Sequence, residues 1–538
     1  MTKHIVIALA LINLLLSSNA QPVAQLQKGK ILTQQIQPSQ SYRYSIALKK
    51  GEYTKVIVMQ KGIDLLVATY SPSGKKLNEF DSPNGANGEE PVEIIADATG
   101  KYMIEVKPFD EKQITGTFDV SIQKQLPFND YATPVINWFK QSGFRISSTE
   151  PGNNFQDLQP LKTILQNVAV VGLGEATHGT QEFFSMKHRL IQFLVTEMNY
   201  TAICIEGSFA KAQKINDYIL GTAQVTSSEQ AGWIGETKVM HDMIEWLRTY
   251  NASVAKEKKV QFFGLDPQDN KTGIAYVQEY ISKVAPELKD LTAAVMDSIR
   301  KEDMHSLNFE LTTIRQPEFQ QLQRLLVFLT LNKYSLIKKT SEAEYENALT
   351  YLKQILYFAE FNSDSRIPGA GSRDKYMTEN VLYHANKLPP NSKIIVWAHN
   401  AHISTKPYGF LPMGFYLKQV FGDKYYATAF SFYEGSFNAQ VDRKFPVEVK
   451  QFSLNGSPPG TIDWMLNASG LQKAFYNLRN NINSQNVEQW LSEPQKMHWV
   501  GALFADTYTS ANYLQPFVLK SDFDGIIFIR ESTPAKPL

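Results

Sequence analysis

From about Val135 onward, the sequence alternates short apolar runs with helical patterns. Six of the runs are predicted to be strands: NVAVVGLG, YTAICIEG, VQFFGLD, SKIIVWAHN, YYATAFSF and FDGIIFI. In the clearest helical pattern, EFFSMKHRLIQFLVTEM, four apolar residues fall on one face: Phe183, Met186, Leu190 and Leu194. Strands that alternate with helices form a mainly parallel sheet flanked by helices, so an α/β domain is predicted.

The preceding residues, 21–125, follow a different pattern. Short runs such as SYRYSIAL, TKVIVMQ and KYMIEVK alternate apolar and polar residues, and Gly- and Pro-containing turn sequences separate them. This pattern is typical of antiparallel strands, and it predicts a small all-β sandwich. No histidine lies between Ala20 and Phe155. Because no set of catalytic side chains is found there, the sandwich is interpreted as an accessory domain.

The junction and the interior of the second domain have patterns of their own. Residues 126–136, which include two prolines, are predicted to be a linker, and residues 137–535 to be the α/β domain. Residues from about 271 to 362 contain almost continuous helical patterns and no convincing strand. The simplest interpretation is a helical insertion between two strands of the sheet. Such an insertion can cover a binding site as a lid, or it can be purely structural.

The first 20 residues have the pattern of a secretory signal peptide. Lys3 and His4 precede the apolar run IVIALALINLLL, and small or polar residues follow it, with Ala20 as the last residue before the expected cleavage site. The apolar run is too short for a permanent transmembrane helix. The protein is therefore expected to be exported, to the periplasm or the extracellular space, and to have no membrane association after cleavage.

Charge and cysteine content restrict the classes of partner and cofactor. The formal net charge is +1, which gives no reason to expect nucleic acid or an anionic membrane as a partner. Cys204 is the single cysteine, so neither an intramolecular disulfide nor a metal cluster built from cysteines can form. It lies within the apolar run TAICIEG, which predicts a buried and unreactive thiol.

Acidic and imidazole side chains follow four of the predicted strands, at the point where each strand ends. They are Glu175 and His178, Glu206, Asp266, and His399 and His402. In an open parallel sheet the carboxyl ends of the strands meet at one edge, where ligands bind. A single Glu or His in such a place is usually a helix cap or a solvated loop residue. Here four strands carry them, and two of the four carry an i, i+3 pair, so the sequence predicts a functional site at this edge.

Three of these motifs, GEATHG, the Glu of CIEG and WAHNAH, resemble those of the erythromycin esterase family. The resemblance extends over about residues 138–530 and includes FFGLDPQD, MGFYL, and RDKYMTEN with Arg373 and Asp374. It implies an α/β hydrolase. Some members of the family hydrolyse the macrocyclic lactone of macrolide antibiotics, and the N-terminal sandwich lies outside the resemblance.

The resemblance also implies roles for individual residues. His178 is implied as the general base, and Glu175, Glu206 and the two histidines of AHNAH as members of the same site. Lys187 occupies the position at which macrolide-hydrolysing members can carry Arg. Because Lys lacks the planar, bidentate guanidinium, its contact with a carbonyl or carboxylate would differ.

Chemical reasoning leads to a similar scheme. Ester hydrolysis needs either a covalent nucleophile or an activated water, and the chain contains no G-x-S-x-G motif, which argues against a serine hydrolase. A histidine suits the activation of water because its ordinary pKa is close to neutrality. The predicted catalytic group therefore comprises His178 as the base, Glu175 or Glu206 as the partner of its imidazole, and His399 as the donor that polarises the carbonyl or stabilises the oxyanion.

Three further residues are predicted to support this group and to bind substrate. Lys187 is expected to aid in stabilising the oxyanion, and His402 and Asp266 to surround the reacting groups. The expected partner is a small-molecule carboxylic ester or lactone, and this scheme needs no cofactor.

Two alternative functions are compatible with the same residues. His178, His399, His402 and Glu206 could hold a divalent metal ion such as Zn²⁺, Mn²⁺ or Fe²⁺, although no HExxH motif is present. The chain could also be an exported protein that binds a ligand without turning it over. The strand-end acids and imidazoles are more than simple capture requires, which favours the hydrolase.

Overall fold

The computed structural model describes residues 23–82, 84–110, 115–152, 154–224, 236–268, 271–301, 316–364, 372–442 and 448–538. The chain divides into two compact units, of which the first ends at Tyr131 and the second begins at Ala132. The predicted signal peptide and residues 302–315 of the predicted insertion lie outside the described residues. Within the described ranges, none of the helices is both long enough and apolar enough to span a bilayer.

The described part of the first unit consists of strands that form two sheets. The strands are β1 (Ala24–Gln25), β2 (Ile31–Ile36), β3 (Tyr42–Leu48), β4 (Glu52–Lys61), β5 (Leu65–Tyr70), β6 (Lys76–Phe80), β7 (Asn87–Ile95), β8 (Gly100–Pro108) and β9 (Gly116–Pro127). One sheet has the order β1-β3-β8-β5-β6 and the other β2-β9-β4-β7. Apolar side chains from both sheets, among them Ile46, Val58, Ile104 and Val120, form one buried cluster. The predicted all-β sandwich is therefore confirmed.

The segment predicted as a linker, residues 126–136, has regular structure instead. Strand β9 continues to Pro127, and helix α1 (Phe128–Ser142) begins at the next residue with Pro134 inside it. Proline is rare in a helix interior because it lacks the N–H donor and its ring crowds the preceding turn. The boundary between the two units nevertheless falls within this segment, after Tyr131.

The second unit is built on one mixed sheet. Its strands are β10 (Phe144–Arg145), β11 (Val170–Leu173), β12 (Tyr200–Ser208), β13 (Gln261–Asp266), β14 (Lys393–Trp397), β15 (Tyr425–Gln440), β16 (Val449–Leu454), β17 (Lys473–Asn477), β18 (Gln495–His498), β19 (Leu514–Phe517) and β20 (Gly525–Ser532). The order is β10-β17-β20-β15-β11-β14-β12-β13, with β16 paired to β15, and β18 and β19 form a separate pair.

The six predicted strands are the six adjacent parallel strands of this sheet, from β20 to β13. This confirms the α/β fold class. The antiparallel additions β10, β16 and β17 and the separate pair β18–β19 were not predicted. Several of them are short, and β16 leaves most of its residues exposed, so they lack the continuous apolar run of a strand that is buried on both faces.

Helices cover the second unit. After α1 they are α2 (Pro160–Ile164), α3 (Gln181–Met198), α4 (Phe209–Ile219), α5 (Lys238–Ser253), α6 (Lys271–Val284), α7 (Lys289–Lys301), α8 (Gln316–Leu331), α9 (Lys333–Lys339), α10 (Glu342–Asp364), α11 (Ser372–Lys387), α12 (Asn400–Ile403), α13 (Met413–Phe421), α14 (Ile462–Ala468), α15 (Gln485–Ser492), α16 (Ser510–Tyr513) and α17 (Leu519–Asp522). Helices α6 to α10 lie between β13 and β14 in the chain and share an apolar core that includes Ile274, Leu322 and Leu352. They are the helical insertion that the sequence predicts, and its role as a lid stays a prediction.

Helix α3 is buried on more than its predicted apolar face. Lys187 and Arg189 are buried together with the apolar residues of the helix. Each charge has an acidic partner: Arg189 Nη2 lies 2.6 Å from Asp157 Oδ1, and Lys187 Nζ lies 2.6 Å from Glu175 Oε2. Because each buried charge has a partner of opposite sign, the attraction within the pair offsets the cost of removing the charge from water.

Candidate active site

The register of the sheet places the predicted site residues side by side. Leu173 of β11, Trp397 of β14 and Ile205 of β12 are aligned across the three neighbouring strands. One or two residues further along each strand come predicted site residues, namely Glu175, His399 and Glu206. Strand β12 follows β11 in the chain and lies two positions from it on one side in the sheet. Strand β15 comes later in the chain and lies next to β11 on the opposite side. The site therefore lies where the strand order reverses, as ligand sites in open α/β sheets do.

Two glycines allow the loop after β11 to pack closely against its neighbours. A Cβ atom at Gly174 would lie 2.1 Å from the Asn400 side-chain oxygen, and one at Gly179 would lie 1.9 Å from the Asn438 carbonyl oxygen. The loop is also tied to the end of β14, because the Asn400 N–H donates to the Glu175 carbonyl oxygen at 2.9 Å. The conformation between these glycines positions Glu175 and His178.

The Glu175 carboxylate is buried and accepts three hydrogen bonds. The donors are His178 Nδ1 at 2.6 Å, Lys187 Nζ at 2.6 Å and Trp397 Nε1 at 3.0 Å. Burial by itself would raise the pKa of Glu175, but the charge of Lys187 and the bond from His178 outweigh it and hold the pKa at about 2. Glu175 is therefore ionised at neutral pH.

This carboxylate determines the tautomer of His178. Because ionised Glu175 can only accept, the hydrogen of a neutral His178 imidazole lies on Nδ1, and Nε2 carries a free lone pair. Nε2 makes no hydrogen bond to the residues that the structure describes, and the His178 side chain is 10% exposed. Of the two partners that the sequence allowed, Glu175 and Glu206, the structure pairs His178 with Glu175. Nε2 can take a proton from a water molecule at the site.

Lys187 does not lie where the sequence placed it. It was expected to bind substrate and to aid in stabilising the oxyanion, but its side chain is fully buried and its ammonium group contacts Glu175, with the Trp397 ring 4.6 Å away. Burial lowers the pKa of Lys187, and the Glu175 charge offsets part of this, giving about 8. Lys187 is thus a positioning residue for Glu175. A strand-end motif gives no information on whether a lysine of the following helix points to the ligand or to the acid.

His399 presents a buried N–H group without a partner. Its Nδ1 accepts from the Ala401 N–H at 3.2 Å, so in the neutral ring the hydrogen lies on Nε2, which has no hydrogen bond to any described residue. Burial, together with the neighbouring His178, lowers the pKa of His399 to about 3, so the ring is neutral at physiological pH. The His399 and His178 rings are 5.2 Å apart, centroid to centroid. A donor and a base therefore face the same small region.

Arg373, at the start of α11, binds two carboxylates at the carboxyl ends of β12 and β13. Its Nη2 donates to Glu206 Oε1 at 2.9 Å and to Asp266 Oδ2 at 2.7 Å. Burial raises the pKa of Glu206, but His402 and Arg373 outweigh it and hold the pKa well below its ordinary value. Glu206 Oε2 accepts from the backbone N–H of His399 at 2.8 Å. This ion network fixes the backbone that carries the His399 donor.

His402 lies between two carboxylates of the same network. Its Nδ1 lies 2.8 Å from Asp374 Oδ2, and its Nε2 lies 3.2 Å from Glu206 Oε1. Burial lowers the pKa of His402, but Asp374 and Glu206 outweigh it and raise the pKa to about 10. Arg373 Nη1 lies 3.0 Å from the same Nε2, and its charge opposes this rise. His402 and Asp266 both belong to this network, and their predicted contact with substrate stays a prediction.

The alternative of a metal site can be compared with the same geometry. In the parts of the chain that the structure describes, no three His, Cys, Asp or Glu side chains are arranged to hold a metal ion. Two of the four proposed ligands, His402 and Glu206, lie against the guanidinium of Arg373, at 3.0 and 2.9 Å. A second cation at that position would be repelled.

Arg373, Asp374 and Trp397 belong to the site although none was assigned a role from the sequence. The first two lie in the RDKYMTEN segment, where a partly buried base and an adjacent buried acid open a helix. Trp397 ends an apolar strand, and nothing in the sequence distinguishes its indole N–H from that of a core tryptophan. Cys204 is buried on β12, as predicted, and burial raises the pKa of its thiol.

Comparisons with known proteins agree with the motifs. The family description "Erythromycin esterase" matches residues 195–532. The chain is 30% identical over 427 residues to erythromycin esterase type II of Escherichia coli, covering 74% of this chain and 97% of that protein. A Bacillus cereus protein structure aligns with a TM-score of 0.64 at 24% identity, over 76% of this chain and 99% of the other. The structure of a mutant of the erythromycin esterase EreC, in its open conformation, aligns with a TM-score of 0.57 at 18% identity, over 74% and 98%.

Proposed function

The chain belongs to the erythromycin esterase family, and from this premise we propose that it hydrolyses a carboxylic ester or lactone through a water activated by His178. The observation that carries the proposal is the combination of the Glu175–His178 pair with the unpartnered Nε2–H of His399. A macrolide lactone is the first substrate to test, because the E. coli relative is an erythromycin esterase.

In the proposed reaction, Nε2 of His178 removes a proton from water while the water oxygen attacks the carbonyl carbon. Ionised Glu175 stabilises the imidazolium that forms, because it already accepts the Nδ1 hydrogen at 2.6 Å. The carbonyl π electrons move to oxygen, and the resulting oxyanion accepts the Nε2–H of His399. When the tetrahedral intermediate collapses, the C–O bond of the ester breaks and the leaving oxygen takes the proton from His178. The products are an acid and an alcohol, or one hydroxy acid from a lactone.

Neutral His399 suits the role of the donor. A cationic donor in this position would be repelled by the imidazolium that forms on His178, whose ring lies 5.2 Å away. A buried N–H without a partner is costly in the free enzyme, and an oxyanion would satisfy it. The interaction would thus strengthen as charge develops on the oxygen, which is the requirement for catalysis.

The test is mass spectrometry of erythromycin after incubation with the protein that begins at Gln21. We expect a product heavier by one water molecule, and at least about a 10²-fold slower formation with His178→Ala, because a general base contributes about that much. His241→Ala, a histidine on α5 away from the strand ends, is the matched control. A His178→Ala protein with wild-type turnover would exclude His178 as the base.

The same assay separates the two alternatives. Activity that a chelator abolishes and one added metal ion restores would favour metal-assisted hydrolysis over the scheme proposed above. Tight binding of erythromycin with no product would favour a binding protein. If neither binding nor product is seen, a panel of simple esters and lactones follows.

We also propose that the protein is exported with its first 20 residues removed. The support is the sequence pattern of residues 1–20. Sequencing the amino terminus of the protein recovered from a bacterial host should give Gln21 as the first residue. An intact Met1 in the mature fraction would contradict this proposal.

A further inference from the structure

A tryptophan that the reaction scheme does not use lies beside His399. The ring centroid of Trp499 is 5.3 Å from that of His399, and its ring stacks with Phe517 at 5.4 Å and approaches Tyr408 at 5.9 Å. The side chain is half-buried, and its indole N–H makes no hydrogen bond within the described residues. A large apolar ring therefore lies next to the imidazole that is expected to bind the carbonyl oxygen.

The backbone around Trp499 is held in place by hydrogen bonds on three consecutive residues. The His498 N–H donates to Asp463 Oδ2 at 2.9 Å, the Trp499 N–H to the Tyr513 carbonyl at 2.8 Å, and the Val500 N–H to the Ala176 carbonyl at 2.6 Å. Ala176 lies in the loop that carries Glu175 and His178. The ring is therefore positioned relative to the catalytic loop itself, which reduces the entropy cost of using it as a contact surface.

Trp499 differs from the tryptophans of the core. Trp397 and Trp490 are each only 2% exposed, whereas Trp499 is half-buried. A second half-buried aromatic residue, Phe410, lies 6.3 Å from the ring of His402, centroid to centroid. Accessible aromatic rings next to a polar reaction centre are typical of pockets that orient a ligand through a few polar groups and bind its bulk through apolar contact.

We propose that Trp499 is a specificity-determining residue whose ring binds the apolar part of the substrate next to the scissile carbonyl. This inference rests on the proposed function. The site should then prefer esters and lactones with a bulky, apolar acyl group to small esters such as acetates. A small acyl group would leave the Trp499 ring uncovered.

The first experiment measures binding without turnover. Erythromycin is titrated calorimetrically into His178→Ala protein and into the same protein carrying Trp499→Ala, Trp499→Phe or, as the control, Trp138→Ala. Trp138 is also half-buried and its ring contacts Phe139, on a helix away from the strand ends. We expect Kd to rise about tenfold with Trp499→Ala, less with Trp499→Phe, and to stay within about twofold for the control.

The second experiment compares kcat/KM of proteins with His178 intact for erythromycin and for 4-nitrophenyl acetate. Trp499→Ala should lower kcat/KM for the macrolide about tenfold and leave that for the acetate within about twofold.

An unchanged Kd for Trp499→Ala, an equal loss of kcat/KM on both substrates, or no binding of erythromycin would overturn the inference. A wild-type protein that binds erythromycin in a Trp499-dependent way but yields no hydrolysis product would instead overturn the proposed function alone. A thermal melt shows whether the Trp499→Ala protein is folded. If it is misfolded, the same measurements on Trp499→Phe test the inference.

Discussion

At the residue scale, the site depends on one buried carboxylate. Glu175 is 2% exposed and could be ionised there only because three donors surround it. Each donor has a separate consequence: His178 is held in one tautomer, Lys187 supplies the compensating charge, and Trp397 donates a second hydrogen bond to Oε2. Removing one partner destabilises the protein by more than the intact arrangement stabilises it, because a buried charge is then left without a partner.

Glu175→Gln should therefore lower kcat while leaving KM nearly unchanged. A glutamine side chain can accept the hydrogen bond from His178 only through its carbonyl oxygen. Its NH₂ group then lies against the ammonium group of Lys187, so two hydrogen-bond donors face each other at contact distance. We expect kcat to fall about 10²–10⁴-fold, as for other changes of an acid that orients a catalytic histidine. The measurement is steady-state kinetics on the substrate found by mass spectrometry. The control is Glu197→Gln, which changes an exposed ion pair with Lys162. A variant as active as the wild type would exclude Glu175 from the mechanism.

The same carboxylate should produce a defined pH dependence of stability. The pKa of Glu175 is about 2 in the folded protein against an ordinary value of 4.5, so the unfolded chain binds more protons between these limits. The stabilisation is therefore present above about pH 4.5 and is lost as the pH falls towards 2. Between pH 5 and pH 3 the free energy of unfolding of the wild type should fall by about 2 kcal/mol more than that of Glu175→Gln. Urea denaturation at both pH values measures this difference, and equal losses would mean that Glu175 is not held ionised.

At the scale of secondary-structure elements, the site is assembled by adjacent parallel strands. The carboxyl ends of β11, β12, β13 and β14 meet because these strands are neighbours, and Arg373 of α11 joins the acids at the ends of β12 and β13. Close packing of the loop after β11 against β15 is part of the same assembly. This packing is possible only where a residue has no Cβ atom.

Gly179→Ala should consequently damage the site without changing any polar group. The added Cβ would lie 1.9 Å from the Asn438 carbonyl oxygen of β15, so the loop or the strand must move. We expect a loss of about 1–3 kcal/mol in the free energy of unfolding, the usual range for overpacking, and a drop in kcat because His178 is the preceding residue. Gly152→Ala is the control, since nothing lies within 4 Å of its Cβ position. Equal stability and activity of the two variants would show that the loop adapts.

At the scale of the whole molecule, every residue assigned to the site lies in the second unit, which begins at Ala132. A protein that starts at Phe128, the first residue of α1, lacks the strands of the sandwich and keeps the helix intact. We expect its kcat/KM to stay within about twofold of that of the longer protein, because compact units of this size commonly fold alone. A truncated protein that shows a native circular-dichroism spectrum and is inactive would mean that the sandwich contributes to the site.

Sequence alone determined the fold class and the chemical character of the site. The six central strands are continuous apolar runs because they are buried on both faces, and such runs are visible without a structure. The acids and imidazoles at their ends were identifiable because parallel strands bring their carboxyl ends to one edge. The all-β character of the first unit was likewise visible in its alternating runs and turns. These signals are local in the chain.

Tertiary structure decided which partner each of these groups has. Pairing of His178 with Glu175 rather than Glu206, the burial of Lys187 against that acid, and the free Nε2–H of His399 depend on rotamers and on contacts between residues far apart in the chain. Arg373 lies 167 positions from Glu206, and no local pattern links them. Hydrogen-bond direction and desolvation are properties of the packed molecule, so the proposed division of the site into base, donor and supporting charges depends on the fold.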